Sequence, residues 1–399
     1  MDSNTDSKLV QFMKEELKIY VFRLWPLFLL VIGLPLASFV IWLLIPSQQL
    51  DILVIDKTVR DDSFQEHAGL FWTLEHLKYK NRSGDFYQAS QDYFGFFPSG
   101  KADLGKRVDL EGKSEEQLKA LAADLDLVYL ADTYGVYEND FDKTAPDDFS
   151  KKIYGGLDTA DLQLIKLASE GGKTVVAEFN SIASPTPTLI RNEFENLMGL
   201  KWTGWIGRYF DELDTLVNTD IPTWMIRQYQ RQHEHWDLQG PGLIFIKESG
   251  EIEAFAHQRD YENKVPLIRT QKLNKHGYKL PEVVPYPDWF DVMMIARDYD
   301  VISYYDINPT EEGVLRLRAM GLPRFFPAAV VRSNGNGRQY YFSGDFSDMR
   351  AHFGSARFFG LPVLWRGIYV ASDYTDRQSF YWNYYHPLIS QILDKSSDQ

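Results

Sequence analysis

From Leu24 to Ile45 the chain reads LWPLFLLVIGLPLASFVIWLLI, twenty-two residues without a charge. At ~1.5 Å per residue such a helix covers the ~30 Å hydrocarbon core of a bilayer, so the stretch predicts a transmembrane helix. Pro26, Gly33 and Pro35 would disfavour a helix in water but are tolerated in lipid, and Trp25 and Trp42 fall near the two expected interfaces. A cleaved signal peptide is the competing reading. The length of the stretch and the lack of a small-x-small site before Pro46 favour retention. Lys8, Lys14, Lys18 and Arg23 precede the stretch, whereas Ser47, Gln48, Gln49 and Asp51 follow it. The positive-inside rule then places the N-terminus in the cytoplasm and everything from about residue 50 outside it, periplasmic or at the cell surface.

Three properties of the remainder exclude whole classes of function. A net charge of −14 argues against a nucleic-acid partner, because phosphate binding needs clustered Lys and Arg. There is no cysteine in 399 residues, which removes disulfides, thiolate metal sites and any cysteine nucleophile. No P-loop, GxGxxG or GxSxG motif occurs, so standard nucleotide and serine-hydrolase readings drop out and no cofactor is expected. The aromatic share of 15% would suit stacking on sugar rings, although most such residues fill cores.

After the apolar stretch, strand-like and helix-like segments alternate. LDILVID at Leu50–Asp56 precedes a helical pattern at Phe64–Tyr79; LDLVYLA at Leu125–Ala131 is strand-like; a helix begins after Asp158; and KTVVAEF at Lys173–Phe179 follows a Gly-Gly break. Apolar strands alternating with helices predict an α/β domain with a mostly parallel, doubly wound sheet. The expected organisation is a tail and helix over 1–23, the span over 24–45, and one extracytoplasmic domain over 46–399 with an inserted region at about 216–325. The Pro-rich part of that region, Lys264–Asp291, reads as a loop or small subdomain. Ala328–Ser343, with Asn-Gly turns at its centre, predicts a β-hairpin.

In open α/β sheets ligands bind beyond the carboxyl ends of the strands. That rule selects Asp56 and Lys57, Asp132, then Glu178, Asn180 and Ser181, then Ser343, Asp345 and Asp348. Crowded carboxylates raise one another's pKa, so Glu178, Asp132 and Asp345 are the catalytic candidates, against the alternative that these residues cap helices and form turns. Glu178, a charge at the end of a buried strand, needs a partner, and Arg208 is the expected counter-ion, in a catalytic or a purely structural pair. WTGWIGRYF at Trp202–Phe210 reads as a sugar-stacking loop or as a packed aromatic corner. Asp56, Asn180, Ser181, Trp205, Arg208 and Tyr209 are therefore the ligand-binding candidates. His67 is a general base or a core histidine. The pairs His233/His235 and Asp298/Asp300 lack the spacing of a helical zinc motif, so no metal is expected.

The order of LDILVID, DLDLVYLAD and the helix-Gly-Gly-strand unit LIKLASEGGKTVVAEF, with the late YYFSGDF, resembles the class I glutamine amidotransferase-like, flavodoxin-like superfamily over residues 50–215 and 325–395. That resemblance implies a parallel sheet and, in the family's glutaminases, a cysteine at a nucleophile elbow. This chain has none, and Asn180 and Ser181 follow the strand without elbow glycines, so glutamine hydrolysis is not expected. The expected function is an anchored, non-glutaminase domain that binds a glycan or an envelope protein, in export or assembly of a surface polysaccharide. The alternatives are an anchored glycan hydrolase using a carboxylate pair, and a scaffold within a membrane complex.

Overall fold

The computed structural model describes residues 3–99, 105–141, 150–272, 274–369 and 376–397. The first two residues of the expected tail thus lie outside it. Helix runs without interruption of direction from Ser3 to Leu44, with a π turn at Leu29–Gly33. Pro35 accounts for that turn: it lacks an N–H, and its ring would collide with the carbonyl one turn back. Within this helix Phe22–Leu44 is long and apolar enough to cross a membrane, and nearly all of it is exposed.

The helix meets the domain through its last two turns. Trp42 is buried, and its indole N–H donates to the His76 carbonyl at 2.9 Å. The Lys78 ammonium donates to the carbonyls of Trp42 (3.2 Å), Leu43 (3.1 Å) and Ile45 (2.5 Å) and lies 4.8 Å from the Trp42 ring centre. A lysine thereby caps the helix C-terminus, where unpaired carbonyls carry partial negative charge. Gln48–Gln49 then pairs in parallel with Tyr79–Lys80, leaving no loose linker. Replacing Lys78 by Met is expected to cost about 1–2 kcal/mol in a urea melt of the full chain in detergent, since three carbonyls lose a charged donor. A change no larger than that of a surface substitution would show the cap to be immaterial.

The strands Ile52–Asp56, Leu127–Asp132 and Thr174–Glu178 are buried throughout. Both faces are covered, in strict alternation. Val54, Tyr129 and Val176 pack toward the helix Gln65–His76 and the C-terminal helix, while Leu53, Ile55, Val128, Leu130, Val175 and Ala177 pack with residues of the helices Glu115–Asp124, Thr159–Glu170 and Thr188–Met198. Asp158 starts its helix by accepting from the Ala160 and Asp161 N–H groups.

The sheet as a whole is mixed rather than mostly parallel, which corrects the expectation. It has ten strands. Phe94–Phe97, Ile52–Asp56, Leu127–Asp132, Thr174–Glu178 and Gly337–Phe342 run parallel. Beyond them the pairing is antiparallel, through Phe326–Asn334, Asp300–Asp306, Leu267–Thr270 and Val283–Pro285 on one side and Lys106–Val108 on the other. The Asn-Gly hairpin reverses the chain next to the last parallel strand, and each later neighbour is then added by reversal. The Pro-rich segment is accordingly no separate loop or subdomain: two of its stretches form the edge of the main sheet.

A second, antiparallel sheet has the order Ile252–Ala256, Gly242–Lys247, Leu200–Phe210, Trp289–Ile295. The helix Thr223–His233 closes its outer face, with Met225 in one cluster with Ile244 and Ile246. WTGWIGRYF is therefore a strand, with an irregularity between Trp202 and Ile206 where Gly204 takes a φ of +84°, and not a loop.

Candidate functional site

A cleft of about 590 Å³ opens beyond the carboxyl ends of the central parallel strands. Its walls include Asp132 and Asn180 from the ends of Leu127–Asp132 and Thr174–Glu178, Asp345 and Asp348 from the loop after Gly337–Phe342, Arg208 from the second sheet, and Asp288, Trp289 and Arg377. Arg60, Glu66 and Trp224 are also among its lining residues.

Five of the residues selected from sequence, Asp132, Asn180, Arg208, Asp345 and Asp348, share this cleft. The Asp132 carboxylate accepts from the Thr58 hydroxyl (2.6 Å), the Tyr134 N–H (2.6 Å) and the Asn180 side-chain amide (3.2 Å). Burial, with the neighbouring Asp56 charge, pushes its pKa to about 7. Asn180 holds a left-handed φ of +66°, a conformation that Asn tolerates better than most residues. At the turn where the amidotransferase resemblance calls for a nucleophile, this chain thus presents an amide, and no helix follows until Thr188.

Asp345 and Asp348 both face Arg377, at 3.5 and 3.2 Å, and Asp288 pairs with the same guanidinium. Burial and mutual repulsion hold Asp345 well above the ordinary carboxylate range; burial also raises Asp348, against the pull of Arg377. Burial works against the charge of Arg377, but the three carboxylates outweigh it and raise its pKa. Glu66 is raised by burial and by Asp56, while Arg60 pairs with it at 3.2 Å.

Arg208 differs from these. Among the described residues no carboxylate lies within ion-pair distance of its guanidinium, which rests 4.7 Å from the Phe210 ring centre and 5.0 Å from that of Trp289. Burial lowers its pKa from the ordinary value.

The other selected residues lie elsewhere. Glu178 is fully buried, and its counterpart is not Arg208. One carboxyl oxygen accepts from the Phe346 N–H (2.9 Å), the Ser347 N–H (3.0 Å) and the Ser347 hydroxyl (3.2 Å), and the other meets the Tyr129 hydroxyl. Burial raises its pKa to about 8. It holds the loop that carries Asp345 and Asp348 and does not line the cleft. Asp56 is buried, bonded to the His67 Nδ1 at 2.6 Å and to the Thr58 N–H at 2.9 Å. His67 contacts the Ala89 carbonyl through its other nitrogen (2.8 Å) and is a core residue. Lys57 is buried against Asp158 (2.8 Å) and Asp161 (2.5 Å). Ser181 is buried and does not line the cleft. Trp205 and Tyr209 sit in the core; strand alternation turns them away while Ile206 and Arg208 line the cleft.

Sequence reasoning missed Arg377, Asp288, Trp289, Trp224, Arg60 and Glu66. None ends a strand of the parallel sheet, so the rule that found the others could not reach them. Among the described residues, no group of three or more His, Cys, Asp or Glu side chains is arranged to hold a metal ion.

No family model and no curated protein matches this chain. Among solved structures it shows similarity to a β-galactosidase from Bacillus circulans (10% identity, TM-score 0.34, covering 75% of this chain and 30% of that one). A ThuA-like protein from Bacteroides uniformis is matched at 10% identity and TM-score 0.34, over 84% of this chain and 97% of that one. The carbohydrate deacetylase Agd3 is matched at 12% identity and TM-score 0.25, over 75% and 30%. This chain therefore spans less than a third of the β-galactosidase. At such scores these likenesses carry no argument about activity.

Proposed function

We propose that this chain is a membrane-anchored protein whose α/β domain binds a glycan in the cleft between Asp132, Arg208 and Asp345. The observation that carries the reading is Arg208: a guanidinium against aromatic rings, with no ion-pair partner among the described residues, in a cleft where the other arginines are paired. Sugar hydroxyls are both donors and acceptors, so a wall of carboxylates facing an arginine with spare donors can bind several at once. Trp224 adds an exposed aromatic face of the kind on which sugar rings stack. The exposed apolar helix Phe22–Leu44 supports the anchor, with the cytoplasmic N-terminus and extracytoplasmic domain expected from the flanking charges. An envelope polysaccharide in export or assembly is the ligand that fits that placement.

The test is an oligosaccharide array probed with the full chain in detergent, followed by titration of the strongest binder. Arg208→Ala is expected to weaken that binding about tenfold or more, the loss of one charged hydrogen-bonding group, without moving the thermal melt. Absence of binding to any oligosaccharide would reject the glycan reading in favour of an envelope protein partner or a scaffold.

A second reading, hydrolysis, is favoured by one feature. Burial pushes Asp132 up to about 7, and Asp345, raised well above the ordinary carboxylate range by burial and by Asp348, shares the cleft, so two carboxyl groups suited to acid and base roles are to hand. New reducing ends released from a bound oligosaccharide, and lost in Asp132→Asn, would decide for it.

A further inference from the structure

The domain carries an apolar surface beside the N-terminal helix. After Asp348 the chain leaves the cleft, forms a 3₁₀ turn at Phe353–Arg357 and the helix Leu361–Ile368, and returns to the cleft at Arg377. Phe359, Val363, Leu364 and Ile368 are each more than half exposed, while Pro362 is buried and Trp365 packs on Trp382. At 100° per residue, Val363, Leu364, Gly367 and Ile368 form one face of this helix, with Arg366 at its flank.

What lies against that face is indicated by its attachment. The Ser38 hydroxyl donates to the Phe359 carbonyl at 2.7 Å, the Phe359 N–H donates to the Ser38 carbonyl at 3.3 Å, and Phe358 packs on Phe39. Ser38 lies within the apolar span, six residues before its last residue Leu44, which is about 9 Å along a helix axis. Phe359 is thereby fixed beside the span, inside its C-terminal end. A short amphipathic helix at that depth, with apolar side chains outward and an arginine at the edge, has the form of an interfacial segment.

We propose that Phe359–Ile368 lies in the outer boundary of the bilayer that the N-terminal helix crosses, as a second membrane contact of the domain. This rests on the membrane-anchor reading above. The partner is a lipid surface, with the apolar face among acyl chains and Arg366 at the phosphates. The anchor joins the domain at the C-terminal end of the helix Gln65–His76, which is the edge opposite the carboxyl ends of the parallel strands. Two membrane contacts at that edge hold the cleft facing away from the bilayer at a set height. Because Asp348 and Arg377 flank the segment in sequence, its seating also bears on the geometry of the cleft.

The absence of native cysteine allows a direct test. Single-cysteine variants of the full chain, Val363→Cys, Leu364→Cys and Ile368→Cys, carry a nitroxide in vesicles of phosphatidylcholine and phosphatidylglycerol. Leu30→Cys within the span and the exposed Leu216→Cys serve as references. Collision with dissolved oxygen and with a water-soluble nickel chelate is read at each site. The three helix positions are expected to favour oxygen, as position 30 does, with position 216 favouring nickel. Nickel-accessible helix positions beside a lipid-exposed position 30 would overturn the interfacial contact and leave the anchor standing. Shielding from both reagents would also overturn it, pointing to a protein on that face. An aqueous position 30 would overturn the anchor and this inference together. Because the three labels sit on separate exposed side chains, a folding defect in one variant leaves the other two to decide.

Discussion

Glu178→Ala is expected to destabilise the protein by about 3–5 kcal/mol, whereas Glu178→Gln leaves the fold intact at neutral pH. Alanine would leave two buried N–H donors, from Phe346 and Ser347, without acceptors, and would open a cavity beside Tyr129. Glutamine keeps an acceptor for those donors and fills the same volume, while the Tyr129 hydroxyl, which donates to Glu178, can turn to Tyr385 instead. The pKa of Glu178, about 8, makes the protonated form the prevailing one below that pH.

The same groups set a pH dependence whose sign can be worked out. Burial raises Glu178 to about 8, Asp291 to about 8 and Asp132 to about 7, from ordinary values of 4.5, 3.8 and 3.8. Between those limits the folded state binds more protons than the unfolded one, so stability falls as pH rises. The contribution is complete below about pH 4 and gone above about pH 8. Thermal melts of the full chain are therefore expected to show a lower midpoint at pH 9 than at pH 6, with a shallower decline in Glu178→Gln. An equal decline in the two proteins would mean that Glu178 is ionised in the fold.

Arg377→Met is expected to cost about 2–4 kcal/mol at pH 8, somewhat below the ~3–5 typical of a fully buried ion pair that loses one partner. The discount reflects a guanidinium that is 24% exposed. The substitution strands Asp288, Asp345 and Asp348 together at one end of the cleft. Asp345 and Asp348 already lie above the ordinary carboxylate range, so they can take up protons when the arginine goes. The loss should consequently shrink at pH 5.5. Urea melts at the two pH values test this, and an equal loss at both would show that Arg377 acts by packing rather than by charge.

Several features are decided by neighbours in the chain and were accessible without a fold. An uncharged run of twenty-two residues makes a membrane-length helix whatever follows it, and the Asn-Gly turn makes a hairpin. The runs ILVID, LVYLAD and TVVAE form buried strands because their central positions are apolar and the charge comes last. The lack of cysteine by itself removed the amidotransferase chemistry that the strand order suggests. Polar residues at the ends of those strands lie at one edge of the sheet, because parallel strands all end there.

Which of those residues open to solvent was decided only by long-range packing. Glu178 ends its strand as Asp132 does, yet the loop Asp345–Asp348 folds over it and its carboxyl serves that loop instead of the cleft. Arg208 and Tyr209 are adjacent, and alternation along one strand sends the first into the cleft and the second into the core. Arg377 and Asp288 reach the site from segments that sequence patterning marks in no special way. Strand formation follows from local polarity, but pairing partner, register and the closure of one element over another depend on contacts between residues hundreds of positions apart, and those exist only in the assembled fold.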